Sequence, residues 1–202
     1  DQKVITVDMD YVNSFIIVGQ KTILVDSGNP GDYDKILNKM DKLGLSIDDV
    51  SLILITHGHV DHYGSAHDLK KKIGCDLAVH KDDADALENG TNKPIRAWGF
   101  KGRFLRHFLT EKHAKSVEPD IKFEELDLED YGIEGKAIST PGHTPGSVSI
   151  ILDSGQAIIG DLLMGGFLRS RSPNLPAFAD DINKVKESLK KIMGCDPERI
   201  YA

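Results

Sequence analysis

The hydrophobic pattern divides the chain into short strand-like runs separated by helix-like segments. Residues 3–7, 13–18 and 21–25 are rich in β-branched residues and predict three strands. Gly19-Gln20 lies between the second and third runs and predicts a tight hairpin. Residues 51–55 are almost entirely apolar, which is typical of a strand that is buried on both faces.

Helices are predicted where apolar residues recur every three or four positions. The first helix follows Asp32, which suits an N-cap. Its apolar face consists of Ile36, Leu37, Met40 and Leu43. Residues 64–73 and 84–88 predict two more helices, and the last helix follows Asp180 or Asp181.

The carboxyl half contains a second batch of strand-like runs, at residues 122–123, 137–139, 147–152, 156–159 and 199–201. The Gly/Pro-rich stretch 165–179 predicts a loop. Two batches of strands, each with helices attached, predict an α/β protein in which layered sheets are covered by helices. A length of 202 residues is enough for one domain, residues 1–202, with a substantial core.

Residues 91–120 differ in character and predict a helical insert within that domain. Phe100, Phe104 and Phe108 recur every four positions, so one helical face is aromatic. We interpret this face as packing on the core. The alternative is a lid or wall over a substrate pocket, a common role of long insertions. The basic residues between the aromatic ones also resemble a nucleic-acid surface, which the acidic balance of the chain disfavours.

Composition narrows the class of protein. Apolar residues make up 40% and charged residues 28%, as in ordinary globular proteins. The net charge of -7 disfavours nonspecific binding to nucleic acid or to an anionic membrane surface. No signal peptide or membrane-length apolar run is visible, and the two cysteines fit reduced thiols. We therefore expect a cytoplasmic protein with a small-molecule substrate and leave its oligomeric state open.

The densest candidate chemistry follows the apolar run 51–55. Four metal-binding side chains fall within six residues, namely His57, His59, Asp61 and His62. They cannot share one helical face, because positions i and i+2 point apart on a helix. A loop at the end of a buried strand can aim them inward, and imidazole with carboxylate is a normal ligand set for Zn(II), Fe(II) or Mn(II). Histidines that are merely exposed are the alternative, which this density disfavours.

Two further side chains sit at the ends of predicted strands. His143 lies in the turn Thr140-Pro141-Gly142-His143-Thr144-Pro145-Gly146, which two prolines and two glycines stiffen. Asp161 ends the apolar run 156–159, where a carboxylate is costly unless it is paired or bound to a metal. A lone histidine or a strand-end aspartate is usually structural. Each is a candidate ligand only in combination with the first cluster of metal-binding side chains.

Together these motifs resemble the metallo-β-lactamase superfamily. His57-x-His59-x-Asp61-His62, then Gly142-His143, then Gly160-Asp161 match its signature in order and approximate spacing, and Asp26-Ser27-Gly28 resembles its Asp-x-Gly turn. The resemblance covers nearly the whole chain. It implies a four-layer αββα sandwich with a dinuclear metal site at one edge.

The resemblance also implies a ligand assignment. His57, His59 and His143 would hold the first of two divalent metal ions, most simply Zn2+, with Fe or Mn as alternatives. Asp61 and His62 would bind the second ion, and Asp161 would bridge the two. A final histidine normally follows the last strand in this family. The sequence stops at Ala202, so we expect the natural chain to continue and supply it.

The expected chemistry is hydrolysis by direct attack of water. Two cations that share a water lower its pKa and give a hydroxide nucleophile, while one of them polarises the substrate oxygen. Asp61 can orient the hydroxide and help to transfer its proton.

Differences between this sequence and individual branches of the family restrict the expected class of substrate. True β-lactamases usually lack an aspartate at the position of Asp161, whereas glyoxalase II-like, lactonase and phosphodiesterase branches have it. Glyoxalase II proper carries a helical extension that is missing here. Thioester or lactone substrates are therefore favoured. The alternatives are a phosphodiesterase, a mononuclear iron enzyme that oxidises a persulfide, and a metal-binding domain without activity.

The loop after Asp161 contains two candidate substrate contacts. Arg169 or Arg171 could bind a substrate carboxylate or phosphate, because guanidinium suits bidentate recognition of anions. A surface arginine in a salt bridge is the equally good alternative.

Overall fold

The computed structural model describes residues 2–94, 96–98, 113–166 and 170–202. The strands of this part are β1 Lys3–Asp8, β2 Asn13–Val18, β3 Thr22–Val25, β4 Val50–Ile55, β5 Asp76–His80, β6 Ile121–Phe123, β7 Leu126–Asp127, β8 Gly135–Ser139, β9 Val148–Leu152, β10 Gln156–Ile158, β11 Met164–Gly166, β12 Ser170–Asn174 and β13 Arg199–Tyr201. Its helices are α1 Tyr33–Lys42, α2 Val60–Tyr63, α3 Ala66–Ile73, α4 Ala84–Asn89 and α5 Ile182–Met193. Among the described residues no helix is both long and apolar enough to cross a membrane.

The first sheet has six strands in the order β1-β2-β3-β4-β5-β6. The predicted hairpin of β2 and β3 is confirmed, and β3 to β6 run parallel. Strand β4 is buried on both faces, as its all-apolar sequence predicts. Leu52 and Leu54 face one hydrophobic cluster, and Ile53 and Ile55 face another.

The second sheet has five strands in the order β13-β10-β9-β8-β7. One apolar cluster lies between the two sheets and combines residues such as Leu54 of β4 with Ile150 of β9. A second cluster packs α1, α3 and α4 on the outer face of the first sheet. A third packs Val185 and Ile192 of α5 against Ala157 of β10. The order helix, sheet, sheet, helix confirms the predicted αββα sandwich.

Two helix predictions need correction. The helix predicted from residue 64 begins at Ala66, and α2 is a separate turn before it. Ser65 interrupts them, because its N–H donates to the Ser27 hydroxyl at 3.2 Å rather than continuing α2. Asp32 occupies the N-cap of α1 but does not cap it, since its carboxylate accepts from the N–H of Asn29 at 3.0 Å.

The loop predicted for residues 165–179 is wrong in part. Strands β11 and β12 pair there as an antiparallel hairpin, with Met164 opposite Asn174. Gly and Pro do not prevent this ladder, because it has only two strands and Pro is tolerated on an edge. The predicted aromatic face of Phe100, Phe104 and Phe108 lies outside the described residues, so the insert stays a prediction.

Candidate metal centre

The candidate ligands meet where the two sheets approach each other. His57 and His59 follow the end of β4, and His143 lies between β8 and β9. Asp161 follows β10, and His62 lies on α2. The N–H of Val148 donates to the carbonyl of Thr56 at 2.9 Å, so the two sheets are joined beside the ligands. The topology therefore collects side chains that are far apart in sequence.

Five of the six predicted ligands converge in two overlapping groups. The ligand atoms of His57, His59 and His143 lie within 4.8 Å of one another, and we call these residues the three-histidine group. The same limit joins His57, His62 and Asp161, which we call the mixed group. All four imidazoles are buried, whereas the Asp161 side chain is 21% exposed.

Asp61, the sixth predicted ligand, belongs to neither group. It is half-buried in the first turn of α2, directly before His62. Its charge acts to raise the pKa of His143, against the larger lowering effect of burial on that imidazole. The carboxylate is thus near the centre, and its predicted roles as ligand and catalytic residue remain predictions.

Asp26 holds two of the rings from behind. Its Oδ1 accepts the N–H of Thr56 at 2.7 Å, and its Oδ2 accepts the Thr56 hydroxyl at 2.7 Å and Nδ1 of His62 at 2.8 Å. The Thr56 hydroxyl in turn lies 3.0 Å from Nδ1 of His57. Because both Nδ1 atoms face oxygen, the Nε2 atoms of His57 and His62 are the ones presented to the centre.

His143 is oriented in the same manner. Its Nδ1 lies 2.9 Å from the carbonyl of Phe178, while its Nε2 lies 2.9 Å from Nδ1 of His59. The N–H of Asp180 donates to the carbonyl of His143 at 3.0 Å and ties the turn to the segment before α5. The stiff turn predicted from the sequence therefore presents one ring nitrogen of His143 to the three-histidine group.

The centre fits a metal ion. The buried Nε2 of His57 has no hydrogen-bond partner among the described residues, and its ring centroid is 4.0 Å from that of His62 and 4.6 Å from that of His143. Buried ring nitrogens are normally satisfied, so an unpartnered one that faces other ligands needs a partner such as a cation. His-rich donors with an adjacent carboxylate suit a divalent metal.

The electrostatics of the two groups differ. Burial, followed by the neighbouring imidazoles, lowers the pKa of His57 well below its usual value. Burial likewise lowers the pKa of His59 and that of His143. Burial also acts to lower the pKa of His62, but the carboxylates of Asp161 and Asp26 outweigh it and raise that pKa well above the usual value.

Asp161 shows the reverse balance. Burial acts to raise its pKa, but the positive charge of His62 outweighs burial and holds the pKa of Asp161 below its usual value. His62 Nε2 is 3.3 Å from Asp161 Oδ1, which is an ion-pair distance without hydrogen-bond geometry. His62 therefore lies between Asp161 and Asp26, and both carboxylates favour its protonated form when no metal ion is bound.

Sequence reasoning missed Asp83. This residue is fully buried after β5, and its carboxylate accepts the N–H of Gly58, the hydroxyl of Thr144 and the N–H of Gly146. The available signal was its position. Asp83 closely follows a buried parallel strand, β5, that ends at the same edge of the sheet as β4.

The other histidines that the structure describes lie outside both groups. His67 contacts the carbonyl of Ser116 through Nδ1 at 2.9 Å, and His80 accepts the N–H of Asp82 at 3.2 Å. His113 is exposed. Cys75, which is half-buried, and Cys195, which is exposed, are free cysteines.

The predicted substrate arginines cannot be placed. Arg169 lies outside the described residues, and Arg171 is described only by its backbone position in β12. A cavity of about 350 Å³ nevertheless opens beside His62 and Asp161. Its apolar wall consists of Tyr11, Val12, Phe15, Leu163 and Met164.

Two comparisons with known proteins, one of sequence and one of structure, agree with the fold and the metal-binding motifs. The family model described as the metallo-beta-lactamase superfamily matches residues 7–202. Among solved structures, the fold is similar to a subclass B3 metallo-β-lactamase of Bradyrhizobium japonicum, with a TM-score of 0.64 over 94% of this chain and 70% of that one. The sequence identity of 23% makes this a likeness of fold alone.

Two curated relatives are similar in sequence. A probable metallo-hydrolase of Methanocaldococcus jannaschii is 32% identical over 152 residues, which cover 75% of this chain and 66% of the relative. A hydroxyacylglutathione hydrolase of Haemophilus influenzae is 28% identical over 152 residues, 74% of this chain and 65% of the relative. The matched part of this chain thus spans just under two thirds of the length of either relative.

Proposed function

Because this chain belongs to the metallo-β-lactamase superfamily, we propose that it is a metal-dependent hydrolase of a small ester-like substrate, a thioester or a lactone. One observation carries the proposal. Two groups of buried ligands share His57, whose Nε2 has no hydrogen-bond partner among the described residues. Such a centre is suited to holding cations beside a substrate.

We assign two divalent ions to the centre, most simply Zn2+. His57, His59 and His143 would hold the first ion, and Asp61 with His62 the second. Asp161 would bridge them. The support is the number of donors, because the five converging ligands exceed the four that one tetrahedral zinc ion takes. Iron or manganese could use the same donors.

When bound, the ions supply a water of lowered pKa and polarise the substrate oxygen. The residues of the chain then have separate tasks. To bind an ion, His62 would release its Nε2 proton and keep its Nδ1 proton, which it donates to the Asp26 carboxylate. Asp61, half-buried at the start of α2, orients the attacking water and accepts its proton before passing it to the leaving group.

The cavity beside the mixed group supports a small substrate with an apolar part. Its volume of about 350 Å³ is at the lower end of ligand sites. Phe15 and Leu163 contribute to an apolar wall, whereas His62 and Asp161 lie at the polar end. A relative named hydroxyacylglutathione hydrolase adds support, because acyl derivatives of glutathione are thioesters.

The test is metal analysis of the purified protein together with a hydrolysis panel of thioesters, lactones, phosphodiesters and β-lactams. We expect metal-dependent turnover of a thioester or a lactone above that of the other classes. A protein that holds metal but is inert across the panel would contradict the proposal, as would a preference for phosphodiesters. Bound iron with oxygen uptake on a persulfide would favour the oxidation of persulfides instead.

A further inference from the structure

A buried carboxylate outside the ligand set joins the loops that carry the three-histidine group. Asp83 Oδ2 accepts the N–H of Gly58 at 2.7 Å, and Gly58 lies between His57 and His59. The same oxygen accepts the hydroxyl of Thr144 at 2.6 Å, directly after His143. Its Oδ1 accepts the N–H of Gly146 at 2.9 Å. One side chain therefore contacts both ligand loops.

The two donor glycines allow this close approach. A Cβ at Gly146 would lie 2.6 Å from Cγ of Asp83, and one at Gly58 would lie 2.9 Å from Cβ of Ala86. A side chain at either position would push the loop away from the carboxylate. Both loops are thus fitted closely around Asp83.

The hydrogen bonds of Asp83 serve the loops and not its own helix. Asp83 occupies the N-cap position of α4, yet its side chain makes no capping bond there. An N-cap aspartate normally accepts from the first turn of its helix. The carboxylate instead accepts from three donors, at residues that are 25, 61 and 63 positions away in sequence.

We propose that Asp83 is a positioning residue that fixes the spacing between His57 and His59 on one loop and His143 on the other, and so sets how tightly the three-histidine group holds a metal ion. The inference rests on the proposed metal-dependent function. Asp83 touches none of the ligand rings in the contacts described above, which separates its role from that of Asp26. Its effect is therefore exerted through the backbone of the loops that carry the three-histidine group.

The test is a Co2+ titration of the full chain as wild type and as Asp83→Asn. The amide of asparagine has only one accepting oxygen. Its NH2 would face a loop group that also donates, so one of the two loops must move. Partners that orient metal ligands typically change affinity 10–100-fold, and we expect Asp83→Asn to weaken Co2+ binding by about that factor. A paramagnetic shift of the Nδ1 proton of His143, which belongs to the three-histidine group and not to the mixed group, assigns the ion to the three-histidine group. The visible spectrum should change with the altered geometry.

Asp120→Asn is the matched control. Asp120 accepts the N–H of Leu77, near the start of β5, at 2.8 Å, and it forms an ion pair with Lys70 of α3. This variant also removes a carboxylate that accepts a backbone N–H, but at a distance from the ligand loops. It should keep the wild-type affinity and spectrum even if its stability falls.

Thr144 provides a second test if Asp83→Asn does not fold. Thr144→Val removes one donor to Asp83 and should weaken Co2+ binding in the same direction but by less. Thr144→Ser keeps the hydroxyl and should restore the wild-type affinity.

The outcomes separate the two proposals. Wild-type binding and spectrum in folded Asp83→Asn, or in folded Thr144→Val, would overturn the positioning role alone. An equal loss of affinity in Asp120→Asn would also overturn it, because the effect would then be one of general stability. A wild-type protein that binds no Co2+ would contradict the proposed function and the positioning role together.

Discussion

The three-histidine group and the mixed group share His57 but are supported in different ways. In the mixed group a carboxylate touches a ring directly, since Asp26 accepts Nδ1 of His62 at 2.8 Å. Behind the three-histidine group, Asp83 contacts loop N–H groups and a hydroxyl. One support controls the charge of a ring, and we propose that the other controls the spacing of two loops.

The two groups also differ in the charge of their imidazole rings when no metal ion is bound. In the mixed group, the raised pKa of His62 keeps a positive charge between Asp26 and Asp161 when no metal ion is bound. The three-histidine group has no such internal substitute, because burial lowers the pKa of its rings and disfavours their protonated forms. It should therefore depend on the metal ion more strongly.

Metal removal should have the largest effect. A ligand at a thousand times its dissociation constant stabilises the folded state by about 4 kcal/mol. We expect a chelator to abolish activity and to lower the free energy of unfolding in urea by about that amount. Hydrogen exchange of the amides should rise more around His143 than around Asp26. An equal rise in both places would break the comparison.

Loss of a ligand from the three-histidine group comes next. We expect His59→Ala to keep the fold and to lower activity by more than about 100-fold, because removing a ligand should exceed the 10–100-fold cost of losing a partner behind it. Circular dichroism checks the fold and initial rates check the activity. His67→Ala, on α3 and outside both groups, is the control and should retain activity. Full activity in His59→Ala would refute the proposed mechanism.

Asp26→Asn should sharpen the difference in charge. Removing this carboxylate takes away one of the two charges that raise the pKa of His62, so that pKa should fall in the metal-free protein. An NMR titration of the His62 ring measures it. The rings of His59 and His143 should titrate almost as in wild type. An unchanged pKa of His62 would mean that Asp161 alone sustains the imidazolium.

The pH dependence of stability in the metal-free protein tests the opposite signs of the pKa shifts in the two groups. The lowered pKa values of His57, His59 and His143 contribute stability above their usual pKa of about 6.5, and this stability is lost as pH falls. The raised pKa of His62 acts in the opposite sense, with stability that is lost as pH rises. Three groups outweigh one, so the free energy of unfolding should fall between about pH 7 and pH 5. Urea titrations that show a rise instead would contradict the neutral state of the three rings.

Local sequence predicted most of what is local in the structure. The all-apolar run of β4 is a strand buried on both faces, and Asp181 caps α5 by accepting the N–H groups of Asn183 and Lys184. His57, His59 and His62 could be identified because they lie within six residues.

What the sequence could not supply is pairing across long separations. The partners of Asp83 are spread between positions 58 and 146, and a single buried aspartate after a strand gives no hint of them. The hairpin of β11 and β12 was missed for a related reason. Its glycines and proline lack strand propensity, and only the register of Met164 against Asn174 defines it.

The two sheets are joined by the hydrogen bond between Thr56 and Val148, directly beside the candidate metal ligands. His57, His59 and His62 come from the segment that builds the first sheet, whereas His143 and Asp161 come from the segment that builds the second. A bound ion would act as a reversible cross-link between the two halves of the sandwich and close a chain loop of more than eighty residues. The ion would then stay bound only while the two halves are docked. Any motion that separates the sheets would release it.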